Sequence, residues 1–392
     1  MLFATCPRYN KLNKLSLEYN LMLNRREFIF DFVSLVLSAK KALSSYNPIN
    51  YKDISVKYKV GPIDAKIENY MSAMSLQEKI NQILIYCPKS TLQVIPDSNI
   101  ILMGWSFPSG LYSKIIEQTK SNKIGSFIAV DQEGGKVHRL RNNKKFRGCR
   151  LPSLLSIGKL EDSQVHEEGK NYGSILKEAG INLLLTSIDA PKNRTKMFKE
   201  GRAFGTDAET VIKKATSYFN GVKESSLLIT ILGQHFPNYD INANTDGSIG
   251  KDYSSKEELK ENTKQFFEIK TDGFMVSSIT YPEISGEPAS LDETLVNFAR
   301  TTGEEKILIS DDFRGLVRQY KKRKIPAPLN TATIKMFNTD MDIMMMVPIG
   351  YISQAKSLLE NYIINSSEAE KKLNVKVKRI LSKKCEKGLL NL

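Results

Sequence analysis

Residues 125–135 read GSFIAVDQEGG, and they show most clearly the pattern from which the fold can be predicted. A short apolar run ends abruptly at acidic and amide side chains, and a pair of glycines follows. Runs of this length that do not alternate with polar residues are typical of strands buried on both faces, as in a parallel sheet. Eight such runs follow residue 64: Gln82–Tyr86, Asn99–Met103, Gly125–Val130, Ile181–Thr186, Leu227–Leu232, Gly273–Ser277, Lys306–Ser310 and Asp342–Val347.

Helical periodicity fills the segments between these runs. The helical segments include Ser113–Ser121, Asp162–Ala179, Ala208–Val222, Ser255–Ile269 and Leu291–Thr302. Eight strands that alternate with helices predict an α/β fold, a (β/α)8 barrel of the TIM type. A doubly wound open sheet fits the same alternation. However, no G-x-G-x-x-G motif follows the first strand, so there is no dinucleotide signature.

The chain of 392 residues divides by composition into two parts. We expect the barrel domain to occupy residues 61–392 and a basic extension with helical character to occupy residues 1–60. No apolar run reaches the length of a transmembrane helix, so we expect no membrane-spanning segment.

The extension contains a candidate export signal. Arg25 and Arg26 precede an apolar run over residues 28–39, an arrangement that resembles a twin-arginine signal. Asp31 interrupts this run and no clear cleavage site follows it, although a translation start at Met22 would bring the arginines near the N-terminus. The alternative is an amphipathic helix on the fold or in peripheral contact with a membrane. We therefore expect a bacterial cytoplasmic protein, with export to the periplasm as the alternative.

The formal net charge of +14 raises the question of nucleic-acid binding. Aromatic residues are not interleaved with the basic runs as a stacking platform requires, so we expect no nucleic-acid partner. The C-terminal basic residues have helical spacing and predict an amphipathic helix with a solvated basic face: Lys371, Lys372, Lys376, Lys378, Arg379, Lys383 and Lys384. The four cysteines lack C-x-x-C spacing and no histidine pair has ligand spacing, so we expect neither metal nor cofactor.

Polar residues follow four of the predicted strands. Residues 131–135 follow the third strand, Asp189 follows the fourth, residues 234–237 follow the fifth, and Asp311 and Asp312 follow the seventh. In a barrel the carboxyl ends of the strands share one face, where active sites are built. We therefore expect these side chains to line one pocket.

The residue types in this pocket indicate carbohydrate chemistry. Asp311 ends an apolar strand, and a carboxylate held there can act as the nucleophile of a retaining glycoside hydrolase. Its neighbour Asp312 is better placed to cap the next helix. Arg139 and Arg202 carry forked donors that suit sugar hydroxyls or carboxylates. We expect a small-molecule carbohydrate as the partner.

A family resemblance supports this interpretation. Residues 130–140, VDQEGGKVHRL, resemble the D-Q-E-G-G-R-V-x-R-L segment of the β-N-acetylglucosaminidases (β-hexosaminidases) of glycoside hydrolase family 3. Further motifs follow in the order of that family: Met74–Lys79, Arg202–Asp207, His235–Pro237, Pro288–Leu291 and Ser310–Phe313. The resemblance covers about residues 64–385 and implies a (β/α)8 barrel. It also implies a retaining enzyme that removes terminal β-linked N-acetylglucosamine, in many bacteria from cell-wall fragments during peptidoglycan recycling.

The resemblance also implies individual roles. Asp311 matches the family nucleophile, which forms a covalent glycosyl-enzyme intermediate. The residues that match sugar-binding positions are Asp131, Arg139, Arg202 and His235. Gln234 takes a sugar-binding position where the family has a lysine.

One family loop departs from its pattern. The segment K-H-F-P-G-H-G-x(4)-D-S-H supplies a histidine general acid/base in the family. Residues 234–248 here read QHFPNYDINANTDGS, and no histidine follows His235 in them. We expect neither of the chain's other histidines, His138 and His166, to replace the missing acid.

The departure leaves several functions open. Asp240 and Asp246 are candidates for a replacement acid, since carboxylic acids do this work in most glycosidases. Alternatively, both aspartates cap turns in the loop. The chain is then either an active glycosidase with a weak or replaced acid, or an inactive family member that binds an amino sugar or muropeptide. A phosphorylase, with phosphate in place of water as the acceptor, is a third alternative.

Overall fold

The computed structural model describes residues 62–103, 109–142, 146, 149, 151–245 and 247–392. Its centre is a barrel of eight parallel strands, almost all of whose residues are buried. The strands are β1 (Leu84–Tyr86), β2 (Asn99–Leu102), β3 (Ile128–Gly134), β4 (Leu183–Ser187), β5 (Thr230–Phe236), β6 (Gly273–Val276), β7 (Ile307–Ser310) and β8 (Met344–Met345). The prediction of a (β/α)8 barrel is confirmed.

The strands pair in chain order, and the last strand returns to the first. Leu84 pairs with Met344 and Ile85 with Met345, so β8 lies beside β1. Between β7 and β8 the ring is closed by a parallel bridge from Ile309 to Ile343. The amide of Ser310 donates to the carbonyl of Ile343 at 2.9 Å, next to this bridge.

Polar side chains pin the strands together at the amino-terminal end of the barrel. Each of these side chains lies near the start of an even-numbered strand. It accepts a hydrogen bond from a backbone amide near the start of an odd-numbered neighbour. Asn99 accepts from Phe127, Asn182 from Ile128, Asp272 from Ile231 and Asp342 from Leu308, at 2.7–3.1 Å. Because a buried backbone amide without a partner is costly, these contacts fix the register of the strands.

Helices surround the barrel and connect its strands. They are α1 (Pro62–Ser72), α2 (Leu76–Gln82), α3 (Ser109–Lys120), α4 (Leu154–Ile157), α5 (Asp162–Glu178), α6 (Lys196–Lys199), α7 (Ala208–Ser225), α8 (Lys256–Asn262), α9 (Lys264–Glu268), α10 (Glu293–Arg300), α11 (Phe313–Lys322), α12 (Pro328–Asn338), α13 (Ile349–Ile364) and α14 (Ser367–Glu386). The helix predicted over 255–269 is interrupted at Thr263, whose hydroxyl bonds back to the carbonyls of Leu259 and Lys260.

Two strands extend well beyond the carboxyl ends that the sequence predicts, while β4 ends one residue later than predicted. The strand β3 continues to Gly134 because it pairs there with a short antiparallel strand, Val137–His138. The strand β5 begins at Thr230 and runs to Phe236, whereas Leu227 lies outside it and is 75% exposed. The polar residues expected after these strands are therefore held inside them, which fixes their direction.

The expectation of a solvated basic face on α14 is wrong for three of its lysines. Lys376, Lys383 and Lys384 are buried, because α14 lies across the amino-terminal end of the barrel. Their ammonium groups are paired there: Lys376 with the carbonyls of Thr339 and Met341, Lys383 with Asp272, and Lys384 with the side chain of Gln82. Helical spacing does not reveal which face has such partners.

In the part of the chain that the structure describes, no helix is long and apolar enough to cross a membrane. The extension over residues 1–60, with its candidate export signal, lies outside the described residues, as does the boundary expected at residue 61.

Candidate active site

A cavity opens at the carboxyl ends of the strands and encloses about 670 Å³, including its open mouth. The cavity brings together residues that the sequence predicts for the site: Asp131, Arg139, Arg202, Gln234, His235 and Asp311. Residues from three different strand ends and two loops therefore meet at one place.

Asp131 is held between a cation and an amide on one wall of this cavity. Its Oδ2 accepts from Nη2 of Arg139 at 2.5 Å, and its Oδ1 accepts from Nε2 of Gln234 at 3.0 Å. Burial raises the pKa of Asp131, but the charges of Arg139 and Arg202 and these hydrogen bonds outweigh it, so the net pKa is lowered. The carboxylate is therefore ionised at neutral pH and can accept hydrogen bonds from sugar hydroxyls.

The buried carboxylate of Glu133 holds the guanidinium group of Arg202 in place. Its two carboxylate oxygens accept from Nε and Nη2 of Arg202 at 2.7 and 2.9 Å, a bidentate arrangement that fixes the plane of the guanidinium. Nε2 of Gln234 also donates to Glu133, at 2.5 Å. Because Asp131 and Glu133 are both acceptors, the amide group of Gln234 must turn its NH2 towards them.

His235 is oriented by Asp189, which is fully buried. Nδ1 of His235 lies 2.9 Å from Oδ2 of Asp189, and the backbone amide of His235 donates to Oδ1 at 2.9 Å. Burial lowers the pKa of His235. The charge of Asp189 and the hydrogen bond to it raise the pKa by more than burial lowers it, so the net pKa lies above that of an ordinary histidine. The ring of His235 at the cavity wall therefore holds its proton more tightly than a free imidazole does.

Asp311 stands at the end of β7, with its side chain at the cavity. Its backbone amide donates to the carbonyl of Val276 on β6 at 3.0 Å, and its Oδ1 accepts from the amide of Asp312 at 2.7 Å. Asp312 caps α11 by accepting from the amide of Arg314, as the sequence predicts. Both aspartates line the cavity, and Asp312 in addition holds the first turn of α11.

The structure does not bring Asp240 into the cavity. Its Oδ1 accepts from the backbone amide of Lys192 at 2.7 Å, and its side chain is largely buried away from the lining residues. Burial raises the pKa of Asp240. The carboxylate pins the loop instead of facing Asp311, because the amide of Lys192 needs a partner there. The other candidate acid, Asp246, lies outside the described residues.

The loop that follows β5 contributes a residue that sequence reasoning missed. Tyr239 lines the cavity, and its hydroxyl donates to the carbonyl of Ala243 at 2.6 Å and accepts from the amide of Thr245 at 3.2 Å. These bonds close the loop into a compact turn over the site. The roles of Glu133 and Asp189 were missed as well, although both lie in the polar segments after the strands. Their signal in the sequence was an acidic residue close behind a predicted apolar strand.

The fold and the site together define a (β/α)8 barrel with a polar cavity where barrel enzymes place their active sites. A sequence model of the glycosyl hydrolase family 3 N terminal domain matches residues 108–383, which is more than half of the chain. The chain therefore belongs to glycosyl hydrolase family 3, as its motifs predict.

Curated relatives of the chain are named β-hexosaminidases. The one from Idiomarina loihiensis is 27% identical over 175 residues, which are 42% of this chain and 51% of that protein. The β-hexosaminidase LpqI of Mycobacterium tuberculosis is 27% identical over 205 residues, which are 48% of this chain and 51% of that protein. The chain thus matches about half the length of these relatives.

Solved structures share the fold over most of the chain. The structure of M. tuberculosis LpqI has a TM-score of 0.70 and 19% identity, with 81% of this chain and 96% of that chain covered. A β-N-acetylhexosaminidase from Beutenbergia cavernae has a TM-score of 0.69 and 20% identity, with 79% and 98% covered. At such low identities the likeness establishes the barrel and leaves the chemistry to the site.

Proposed function

We propose that this chain is a retaining glycoside hydrolase that removes terminal β-linked N-acetylglucosamine, with Asp311 as the nucleophile and with weakened acid catalysis. The observation that supports the proposal best is the shared cavity. Asp311 faces it together with an ionised aspartate, two arginines and a histidine whose partners fix their positions. The names of the curated relatives support the same substrate class.

The proposed reaction begins with the sugar held by hydrogen bonds. Asp131 accepts from hydroxyl groups, while Arg139, Arg202 and His235 donate to them. A carboxylate oxygen of Asp311 attacks the anomeric carbon, a bond to that carbon forms, and the bond to the leaving oxygen breaks. Water then attacks the anomeric carbon, a bond from its oxygen to that carbon forms, and the bond to Asp311 breaks. The proton that the water loses goes to the departed leaving oxygen or to solvent, and the sugar is released with its original anomeric configuration.

The weak step is protonation of the leaving oxygen. The described part of the loop after β5 places Tyr239, Asn244 and Thr245 at the cavity, while its carboxylate, Asp240, points to Lys192. General acid assistance contributes about 10² to 10⁴ in rate. Glycosides with good leaving groups need little protonation, so we expect them to be cleaved while unactivated ones react slowly.

The natural substrate and its compartment belong to the same proposal. We infer that the sugar comes from peptidoglycan fragments, which rests on the family resemblance of the motifs. We place the reaction in the bacterial cytoplasm, with export as the alternative. An interrupted apolar run at Asp31 weakens the candidate export signal and supports this choice.

The test compares two substrates of the full chain. We expect hydrolysis of 4-nitrophenyl N-acetyl-β-glucosaminide and little hydrolysis of an unactivated N-acetylglucosamine disaccharide. Asp311→Ala should abolish cleavage of both substrates. Added azide should accelerate cleavage of the nitrophenyl substrate and give a glycosyl azide, because an anionic nucleophile needs no general base to release the sugar from Asp311.

Two outcomes would contradict the proposal that the chain is an enzyme. One is the absence of hydrolysis with either substrate, and the other is equal rates for D311A and the wild type. Calorimetric binding of N-acetylglucosamine in the absence of hydrolysis would then identify an inactive family member that binds amino sugars. One observation favours this second function: the described part of the loop after β5 brings no carboxylate to the cavity.

A further inference from the structure

The hydrogen bonds of Asp189 determine which nitrogen of His235 meets a ligand. Oδ1 of Asp189 accepts from the backbone amides of His235 and Tyr239, both at 2.9 Å. Oδ2 accepts from the hydroxyl of Ser187 at 3.1 Å and lies 2.9 Å from Nδ1 of His235. A carboxylate with this set of donors acts as an acceptor, so Nδ1 must carry a hydrogen. Nε2 is then the nitrogen that remains for a molecule in the cavity.

The charge of the ring decides what Nε2 can do. In the neutral ring with hydrogen on Nδ1, Nε2 accepts a hydrogen bond; in the imidazolium it donates one. The charged groups that act on the ring are Asp189 and Asp311, which favour the cation, and Arg202, which opposes it. The ring of Tyr239 packs edge-on at 5.2 Å between centroids and adds no charge.

The neighbouring residue makes this charge important. Gln234 stands where the family pattern has a lysine, and its amide already donates to Asp131 and Glu133. It is neutral, so it supplies no cation to the sugar. His235, the next residue on β5, is the group that can present a cationic donor from this strand.

We propose that Asp189 is a positioning residue that keeps His235 as an imidazolium, whose Nε2–H donates to a sugar hydroxyl and makes sugar binding depend on pH. The inference rests on the proposed function, since it concerns the same sugar site. Charge-assisted hydrogen bonds are roughly twice as strong as neutral ones. Affinity is therefore full while the ring is protonated and falls as the pH rises through the raised pKa of His235.

The first test is the titration of the histidine rings by NMR. The chain has three histidines, so His235→Gln assigns the signal of His235 by its loss. In the wild type we expect His235 to titrate above the ordinary histidine pKa. Asp189→Asn should lower that pKa, because a carboxamide has no charge to stabilise the imidazolium. Ser187→Ala is the matched control, since it removes a hydrogen bond to the same carboxylate and keeps its charge.

The second test is calorimetric binding of N-acetylglucosamine from about pH 6 to pH 9. We expect the affinity of the wild type and of S187A to fall about tenfold across this range, and D189N to bind weakly throughout. A wild-type His235 that titrates at or below the ordinary value would overturn the proposal without any variant. So would identical pH profiles for D189N and S187A. Neither test measures hydrolysis. Each can therefore fail while Asp311-dependent cleavage is observed, and each can succeed while no cleavage is observed.

Discussion

At the scale of single residues, carboxylates in this protein differ by what they contact. Asp131 and Asp311 face the cavity, whereas Glu133 and Asp189 lie beneath it and orient Arg202 and His235. A buried carboxylate paired in this way fixes a neighbour's rotamer, because leaving either charge without its partner is strongly unfavourable. The direction of each side chain, and not its type, separates ligand-facing from supporting residues.

Asp240 provides a test at this scale. In Asp240→Asn the carboxamide oxygen can still accept from the amide of Lys192, so the loop should keep its shape. We expect cleavage of both activated and unactivated glycosides to stay within about threefold of the wild type, since the residue supplies no acid; a missing acid costs about 10² or more. Initial rates on the two substrates measure this.

A matched control for Asp240 is Asn242→Ala in the same loop. The side chain of Asn242 contacts Lys199 at 3.4 Å, which is a long hydrogen bond. A rate for D240N that falls a hundredfold on the unactivated substrate alone, with N242A unaffected, would show that Asp240 is the replacement acid after all.

At the scale of elements, two of the helices that surround the barrel pack closely against each other. The helices α5 and α7 approach so closely that glycine occupies the contact. A Cβ built on Gly221 of α7 would lie 2.0 Å from the carbonyl oxygen of His166 on α5, and one on Gly169 would lie 2.0 Å from that of Tyr218. Neighbouring backbone cannot give way as a flexible side chain can, so the helices would have to separate.

Gly221→Ala should therefore destabilise the protein. We expect a loss of about 1–3 kcal/mol in the free energy of unfolding, as for other overpacked sites. Gly350→Ala is the matched control, because Gly350 is an exposed helical glycine with nothing within 4 Å of its built Cβ. That variant should be neutral or gain up to about 1 kcal/mol. Urea unfolding followed by circular dichroism compares them, and equal stability of the two variants contradicts the close contact.

At the scale of the whole molecule, α14 closes the barrel at the end opposite the site. Lys384 is fully buried there, where its ammonium group donates to Oε1 of Gln82 at 2.6 Å and lies 5.1 Å from the ring centre of Phe127. Burial lowers the pKa of Lys384 to about 7, although the charge of Asp97 opposes this. An ionisable side chain is thus fully buried at the amino-terminal end of the barrel.

Lys384 should make stability depend on pH. The unfolded chain holds this proton up to a pKa of about 10.4, while the folded chain releases it near 7. Between these values the unfolded state binds more protons, so folding stability rises with pH. Relative to Lys384→Met, the wild type should gain about 2–3 kcal/mol between about pH 7.5 and 9.5.

The measurement is urea unfolding of both proteins across that range. Lys371→Met on the same helix is the control, since the side chain of Lys371 is 76% exposed and its loss should leave the pH profile unchanged. Parallel profiles for the wild type and K384M would contradict a neutral buried lysine.

From the sequence alone came the alternation of buried strands with helices, the polar residues that follow the strands, and the family. Continuous apolar runs report burial on both faces, and their alternation with helices reports parallel pairing, since both are local patterns. The family motifs pointed to Asp131, Arg202, His235 and Asp311, which the structure gathers at one cavity. The absence of the family histidine from the loop after β5 can also be seen in the amino-acid sequence.

Tertiary structure decided the direction of each polar side chain and the partners of each charge. Whether Asp240 reaches the cavity depends on the amide of Lys192, 48 residues away. Whether Lys384 is solvated depends on where α14 crosses the barrel, with Gln82 302 residues away. Neither contact can be predicted from the spacing of residues along the chain, because the partners lie on elements that only the folded structure brings together.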